Sequence, residues 1–126
     1  MLKLVALGLA GALGTLARYW LTGFVHRYLK EAFPFGTLAV NLLGCFLIGI
    51  VMYLVREHES FDPGTRRVLV VGLLGGFTTF SAFGYETLEL VRGGALGLAA
   101  LNVCGNVLAG TCAVWLGTVL CRTLAG

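Results

Sequence analysis

Four long apolar segments constrain the fold of this 126-residue chain more than any other feature. They cover residues 4–25, 36–55, 68–91 and 95–120. A helix needs about 20 apolar residues to cross roughly 30 Å of hydrocarbon, and each segment reaches that length. The runs are also too long and unbroken for a membrane barrel, whose strands alternate between apolar and polar residues. The sequence therefore predicts an all-α integral membrane protein with four transmembrane helices.

Little sequence remains outside these segments. Only 12% of the residues are charged, whereas soluble domains carry about 25%. The connections are short, so we expect a single domain, residues 1–126, with no soluble catalytic part. No Ser/His, Asp/Asp or metal-ligand set lies within the spans, and His26 and His58 fall at loop edges. The sequence thus argues against an enzyme, and it has no basic run that would indicate nucleic-acid binding.

The positive charges outside the spans bear on orientation in the membrane. If the N-terminus, the 56–67 loop and the C-terminus share one side, that side carries five positive residues and the other carries three. The first set is Lys3, Arg56, Arg66, Arg67 and Arg122, and the second is Arg27, Lys30 and Arg92. This is a weak positive-inside bias, which permits insertion in both orientations.

Glycines recur along the predicted helices. Gly8, Gly11 and Gly14 lie in one stripe of the first helix, and Gly44 and Gly49 reduce the side-chain bulk of the second helix. Small residues let helix backbones approach closely in lipid. We therefore expect these glycines to lie at close helix contacts in a compact bundle, with contacts between copies of the chain as well as within it.

Polar side chains inside the spans are functional candidates, because burying one in a membrane is costly. Asn41 either joins two helices by hydrogen bonds or donates to a permeating ion. Asn102 and Asn106 are four residues apart and so share a helix face, which suits either a polar track or helix-to-helix hydrogen bonds. Arg18 either extends its charge to the interface or provides a positive field that attracts anions.

Residues 75–81, GGFTTFS, disfavour a continuous helix in the third span. Each glycine costs about 1 kcal/mol of helix propensity relative to alanine, and the threonine hydroxyls compete for backbone groups. Thr79 or Ser81 is suited to cap a restarted helix. The sequence predicts a half-helix, a short unwound link and a second half-helix. Freed carbonyls at such a break either coordinate a hard cation such as Na⁺ or belong to a simple packing kink.

Two phenylalanines follow the break. Phe80 and Phe83 are three residues apart and share a helix face. Such rings commonly serve packing, but the positive edge of a phenyl ring could also stabilise a small anion beside amide and hydroxyl donors. Weak binding of that kind suits conduction.

Residues 36–44 read GTLAVNLLG, and residues 75–83 read GGFTTFSAF. With Gly11, Gly14 and the pair Arg18-Tyr19, these motifs resemble the Fluc/CrcB family of fluoride-specific ion channels. The resemblance covers the whole chain in length, four-helix layout and motif order. It implies an antiparallel, dual-topology homodimer in the bacterial inner membrane, with two fluoride pathways and a structural Na⁺ that is not transported. It also implies passive export of fluoride, which lowers cytoplasmic fluoride and protects against its toxicity.

The resemblance also implies roles by motif position. The Na⁺ ligands would be the backbone carbonyls of Gly75 and Thr78 from both subunits. The fluoride pathway would be formed by Asn41, Thr79, Phe80, Ser81 and Phe83. The vestibule or polar track would hold Arg18, Thr37, Asn102 and Asn106. The chain departs from the family pattern at Ala82, where Ser or Thr is frequent, and at Asn102 and Asn106, where relatives often carry Tyr and Ser.

Two other functional hypotheses compete with that of a channel. A small dual-topology multidrug/proton antiporter shares the size and charge balance, but needs a carboxylate in the membrane core, typically on the first helix, which has none. Glu86 and Glu89 lie near the end of the third span, and we expect both to be exposed near an interface. A non-conducting assembly or scaffold subunit would explain the glycines but not the clustered polar groups.

Overall fold

Four long helical spans make up the chain. The computed structural model describes residues 1–29, 32–57 and 61–125, so Lys30 and His58 lie outside the described residues. The spans are Leu2–Tyr28, Phe35–Glu57, Pro63–Arg92 and Leu96–Ala125, each long and apolar enough to cross a membrane. We call them the first to fourth spans. The prediction of four membrane-spanning helices is confirmed, and each helix runs a few residues past its apolar segment.

The ends of the third span are set by local chemistry. The Asp62 carboxylate accepts hydrogen bonds from the backbone N–H groups of Gly64 and Thr65 at its first turn, as an N-cap residue does. Hydrogen bonds from the Thr65 side chain and from these backbone groups hold the pKa of Asp62 below its usual value. The turn into the fourth span contains Gly94 at φ 76°, a conformation that glycine adopts without steric cost.

The first and third spans cross in backbone contact. A Cβ atom added at Gly14 would collide with the Leu73 carbonyl oxygen and lie 2.9 Å from the Phe77 nitrogen. A Cβ atom at Gly76 would lie 2.5 Å from the Gly11 carbonyl oxygen. Only glycine permits this approach, so the crossing is fixed by residue size.

The second and fourth spans cross in the same way. A Cβ atom at Gly49 would collide with the Val114 carbonyl, and one at Gly117 would collide with the Phe46 carbonyl. The expected role of the glycines in close packing is confirmed for Gly14 and Gly49. Gly8 takes no part in a close contact within the described chain, since nothing lies within 4 Å of a Cβ atom built there.

The third span is interrupted later than the paired glycines predicted. Pro63–Arg67 is α-helical, Val68–Leu74 forms a wider π-helix, and Gly75–Phe77 is α-helical again. Only residues 78 and 79 are extended, and the helix resumes over Phe80–Arg92. The break into two half-helices is confirmed, but the glycine pair does not unwind: Gly75 is helical at φ −64° and ψ −37°. Gly76 serves the crossing with the first span, so its lack of a side chain matters more than its flexibility.

The second span reaches the break through Gly44. A Cβ atom there would collide with the Thr78 methyl group. Asn41 lies one turn earlier on the same span, so this close approach brings its amide to the break.

Candidate functional site

The Asn41 side chain pairs with the extended backbone at the break. Its Oδ1 accepts from the Thr79 N–H at 2.9 Å, and its Nδ2 donates to the Thr79 carbonyl at 3.1 Å. A continuous helix would instead pair the Thr79 N–H with the Gly75 carbonyl four residues earlier. The Asn41 amide therefore satisfies the interrupted peptide, as unwound backbone at membrane depth requires.

Side chains within the break complete its hydrogen bonding. The Thr79 hydroxyl accepts from the Ala82 N–H at 3.2 Å, which confirms Thr79 as the cap of the second half-helix. The Thr78 hydroxyl donates to the Leu74 carbonyl at 3.0 Å. Arg18 Nη1, from the first span, donates to the Thr78 carbonyl at 3.3 Å. The break is thus held by both neighbouring spans.

Three amides form a continuous row behind the break. Asn41 Nδ2 also donates to Asn106 Oδ1 at 2.8 Å. Asn106 Nδ2 donates to the backbone carbonyl and to Oδ1 of Asn102, both at 3.0 Å. Asn102 Nδ2 then donates to the Thr87 hydroxyl at 2.9 Å, which donates to the Phe83 carbonyl at 2.8 Å. Asn102 and Asn106 share a face as predicted, and they join the second, third and fourth spans.

The two phenylalanines differ in environment. Their ring centroids are 5.3 Å apart and their planes are tilted by 57°. Phe83 is 8% exposed, whereas Phe80 is 81% exposed in the single chain. Phe83 therefore belongs to the interior of this chain, and Phe80 lies on its surface.

A cleft of about 320 Å³ lies beside the break, between the second, third and fourth spans. Its lining brings together five residues named from the sequence for the fluoride pathway or polar track: Asn41, Thr79, Phe80, Phe83 and Asn106. Gly75 and Thr78 also contribute, and all the lining side chains are uncharged. Ser81 and Asn102, both within the described chain, are not among the lining residues. Ser81 is exposed, and its hydroxyl lies 3.4 Å from that of Thr79.

A second cleft, of about 760 Å³, lies between the first, second and third spans. Arg18, Thr37, Thr79 and Glu86 line it, so Thr79 contributes to both clefts. The buried Thr37 hydroxyl donates to Glu86 Oε1 at 2.6 Å. The second cleft thus contains charged groups of both signs, unlike the first.

Glu86 does not lie exposed as expected. It is half-buried, and its Oε2 is buried without a hydrogen-bond partner among the described residues. Position 86 falls three residues after the buried Phe83 and hence on the same helix face, which contacts the second span. The expectation holds for Glu89, which is exposed and pairs with Arg92 at 3.0 Å.

Thr87 was not singled out from the sequence, although it ends the amide row. A signal was available, since Thr87 lies four residues after Phe83 and a threonine in a membrane helix can donate to the carbonyl four residues back. Its contact with Asn102 depends on how the third and fourth spans pack, which no local pattern in the sequence encodes.

Comparison with known proteins agrees with the sequence motifs. The family described as CrcB-like protein, Camphor Resistance (CrcB), matches residues 5–118. A relative in Citrifermentans bemidjiense is 45% identical over 124 residues, covering 98% of this chain and all of the relative. One in Nitratidesulfovibrio vulgaris is 47% identical over 117 residues, covering 93% of this chain and 94% of the relative. Both are named fluoride-specific ion channel FluC. With this match over nearly its whole length, the chain belongs to the CrcB family of bacterial multi-pass membrane proteins.

Proposed function

We propose that the protein is a fluoride-specific ion channel, which passes F⁻ across the bacterial membrane by passive diffusion and thereby lowers cytoplasmic fluoride. The observation that carries this proposal is the uncharged cleft at a break in a membrane helix, where amides, hydroxyls and phenyl rings lie among apolar side chains. Dipoles of this kind can bind a small anion without the full positive charge that would trap it. The relatives named fluoride-specific ion channels support the same ion.

In this proposal the fluoride pathway is formed by residues that line the first cleft, together with Ser81, whose hydroxyl lies 3.4 Å from that of Thr79. Asn41 provides N–H donors, Thr79 and Ser81 provide hydroxyls, and Phe80 and Phe83 present ring edges. The pathway continues toward the polar track of Asn106 and Asn102. The second cleft, with Arg18 and Thr37, acts as a vestibule in which the guanidinium attracts anions.

We further propose that two copies assemble as an antiparallel homodimer. The first cleft is open to the surface, and Phe80 at its edge is 81% exposed in the single chain. A second copy would cover both. The weak charge bias between the two sides of the chain suits insertion in opposite orientations.

A structural Na⁺ fits the groups at the break. Carbonyl oxygens are suitable ligands for a hard cation. The Gly75 carbonyl lacks the Thr79 N–H, which bonds to Asn41 instead. The Thr78 carbonyl accepts one hydrogen bond from Arg18 and has a second lone pair. These two carbonyls alone do not complete a coordination shell, so in this proposal a second copy contributes the same pair. The bound ion would supply a fixed positive charge joining the two breaks.

The proposed activity is tested by fluoride efflux from liposomes that contain the purified protein. We expect rapid fluoride efflux and negligible chloride efflux, and we expect Phe83→Ile to lower the fluoride rate without changing the assembly state. Empty liposomes are the control. Fluoride efflux no faster than from empty liposomes would refute the channel, and drug-driven proton movement would instead favour the antiporter.

Removing Na⁺ tests the proposed cation. With Na⁺ replaced on both sides by N-methylglucamine, we expect fluoride efflux to fall strongly and to return when Na⁺ is restored. Radioactive Na⁺ should not accumulate in the liposomes, since the ion is structural. Full efflux after exhaustive Na⁺ removal would contradict this role, and so would accumulation of Na⁺ that matches the fluoride flux.

A further inference from the structure

The amide row runs in a single direction. Asn41 donates to Asn106, Asn106 to Asn102, Asn102 to Thr87, and Thr87 to the Phe83 carbonyl. We call Asn41, Asn106, Asn102 and Thr87 the amide relay. Its first member contacts the break, and its last is bonded to the backbone of a phenylalanine that lines the first cleft.

Three backbone groups fix the direction of the relay, because each can act in only one sense. The Thr79 N–H can only donate, so Asn41 turns Oδ1 toward it and Nδ2 toward Asn106. The Asn102 carbonyl can only accept, so Asn106 turns Nδ2 toward it and Oδ1 toward Asn41. The Phe83 carbonyl can only accept, so the Thr87 hydroxyl donates to it. The Thr87 oxygen is then free to accept a hydrogen bond from Asn102 Nδ2.

The relay leaves the amides at the first cleft with no spare donor. Both Nδ2 hydrogens of Asn41 are used, one by Thr79 and one by Asn106. Both Nδ2 hydrogens of Asn106 are used by Asn102. An anion that enters between Asn41 and Asn106 must therefore break the hydrogen bond from Asn41 Nδ2 to Asn106 Oδ1 and accept that N–H group itself. How readily this exchange occurs depends on how firmly Asn106 is held.

Asn102 and Thr87 hold the Asn106 amide in its orientation, although neither lines the first cleft. Asn102 is fully buried, at 0% exposure, so its amide cannot turn to water for a partner. If Thr87 lost its hydroxyl, Asn102 Nδ2 would lose its acceptor, and buried polar groups seek another partner when one is lost. Rotation of the Asn102 amide would present Nδ2 rather than Oδ1 to Asn106 and disturb the row up to Asn41.

We propose that Thr87 and Asn102 are positioning residues for the anion pathway, because they set the amide orientation with which Asn106 and Asn41 meet a fluoride ion. This inference rests on the proposed channel function. Fluoride replaces Asn106 Oδ1 as the acceptor for one Asn41 N–H group, and the amide returns to Asn106 when the ion moves on.

The first test is the Thr87→Val variant, which removes the hydroxyl and keeps the side-chain shape. We expect fluoride efflux to fall at least 10-fold and the fluoride concentration for half-maximal rate to change. Thr87→Ser, which restores the hydroxyl, should recover most of the rate. The matched control is Thr111→Val, since Thr111 also donates to the carbonyl four residues back but is exposed and outside the relay. It should conduct as the unmodified protein does.

The second test observes the relay without measuring flux. The chain contains three asparagines and no glutamine, and all three asparagines belong to the relay. Labelling asparagine side chains with ¹⁵N therefore yields three NH₂ groups in the NMR spectrum. Thr87→Val should shift all three, Thr111→Val none, and added fluoride should shift that of Asn41 most.

The two measurements separate this inference from the channel function. If the unmodified protein conducts fluoride and Thr87→Val leaves both the rate and the Asn41 signal unchanged, the relay does not position the pathway. If Thr87→Ser fails to recover the rate, shape rather than the hydroxyl matters, and the proposal is wrong. A protein that conducts no fluoride but shows the three shifts would refute the channel while leaving the relay intact as a structural element.

Discussion

Replacing Asn41 with aspartate should lower fluoride efflux by roughly 100- to 1,000-fold. A carboxylate within about 4 Å of a fluoride ion repels it by about 4 kcal/mol at an effective dielectric constant of about 20, and about 1.4 kcal/mol corresponds to a factor of ten in rate. The variant also loses both N–H donors, and it sets an anionic oxygen against the Thr79 carbonyl and Asn106 Oδ1, where the amide now donates.

Aspartate is informative because it changes chemistry with little change in shape. One carboxylate oxygen can still accept from the Thr79 N–H, so the break keeps part of its support. The variant should therefore keep its helical content, measured by circular dichroism, and its assembly state. An Asn41→Asp protein that is folded and conducts within threefold of the unmodified rate would remove Asn41 from the pathway.

The second large effect concerns stability and follows from the crossing of the first and third spans. Gly14→Ala should destabilise the protein by about 1–3 kcal/mol, the usual range for overpacked cores, because the added methyl group meets backbone atoms that cannot rotate away. The spans must separate for it to fit. Unfolding in mixed micelles with increasing dodecyl sulfate, followed by circular dichroism, measures the change.

Gly8→Ala is the matched control on the same helix. Nothing in the described chain lies within 4 Å of a Cβ atom at this position, and alanine favours a helix by about 1 kcal/mol over glycine. The control should therefore be as stable as the unmodified protein or more so. Equal unfolding midpoints for Gly14→Ala and Gly8→Ala would show that the crossing tolerates separation.

The architecture was predictable from the sequence because membrane thickness imposes a length on each span. The four apolar segments, and the polar residues within them, can be identified from the local sequence alone. The position of the break does not, since glycine serves in two ways, as a flexible residue and as a small one. Gly76 is needed for its small size, because its backbone contacts that of Gly11. These two residues are far apart in the chain, so the local sequence does not reveal the contact.

Partners across spans were the main feature that the sequence left open. Nothing local to Asn41 shows that its amide reaches Thr79, 38 residues later. Glu86 was misassigned for a related reason: distance from the end of a span indicates depth, but not which helix a side chain faces. Thr87 was overlooked because its partner, Asn102, lies on another span.

The pairing of Asn41 with Thr79 also bears on the order of synthesis. The break has an N–H and a carbonyl that no helical neighbour satisfies, and a lipid-exposed peptide in that condition costs several kcal/mol. The partner is a side chain of the second span, which leaves the ribosome before the third. When the interrupted helix emerges, the Asn41 side chain that satisfies its open hydrogen-bonding groups has therefore already been synthesised.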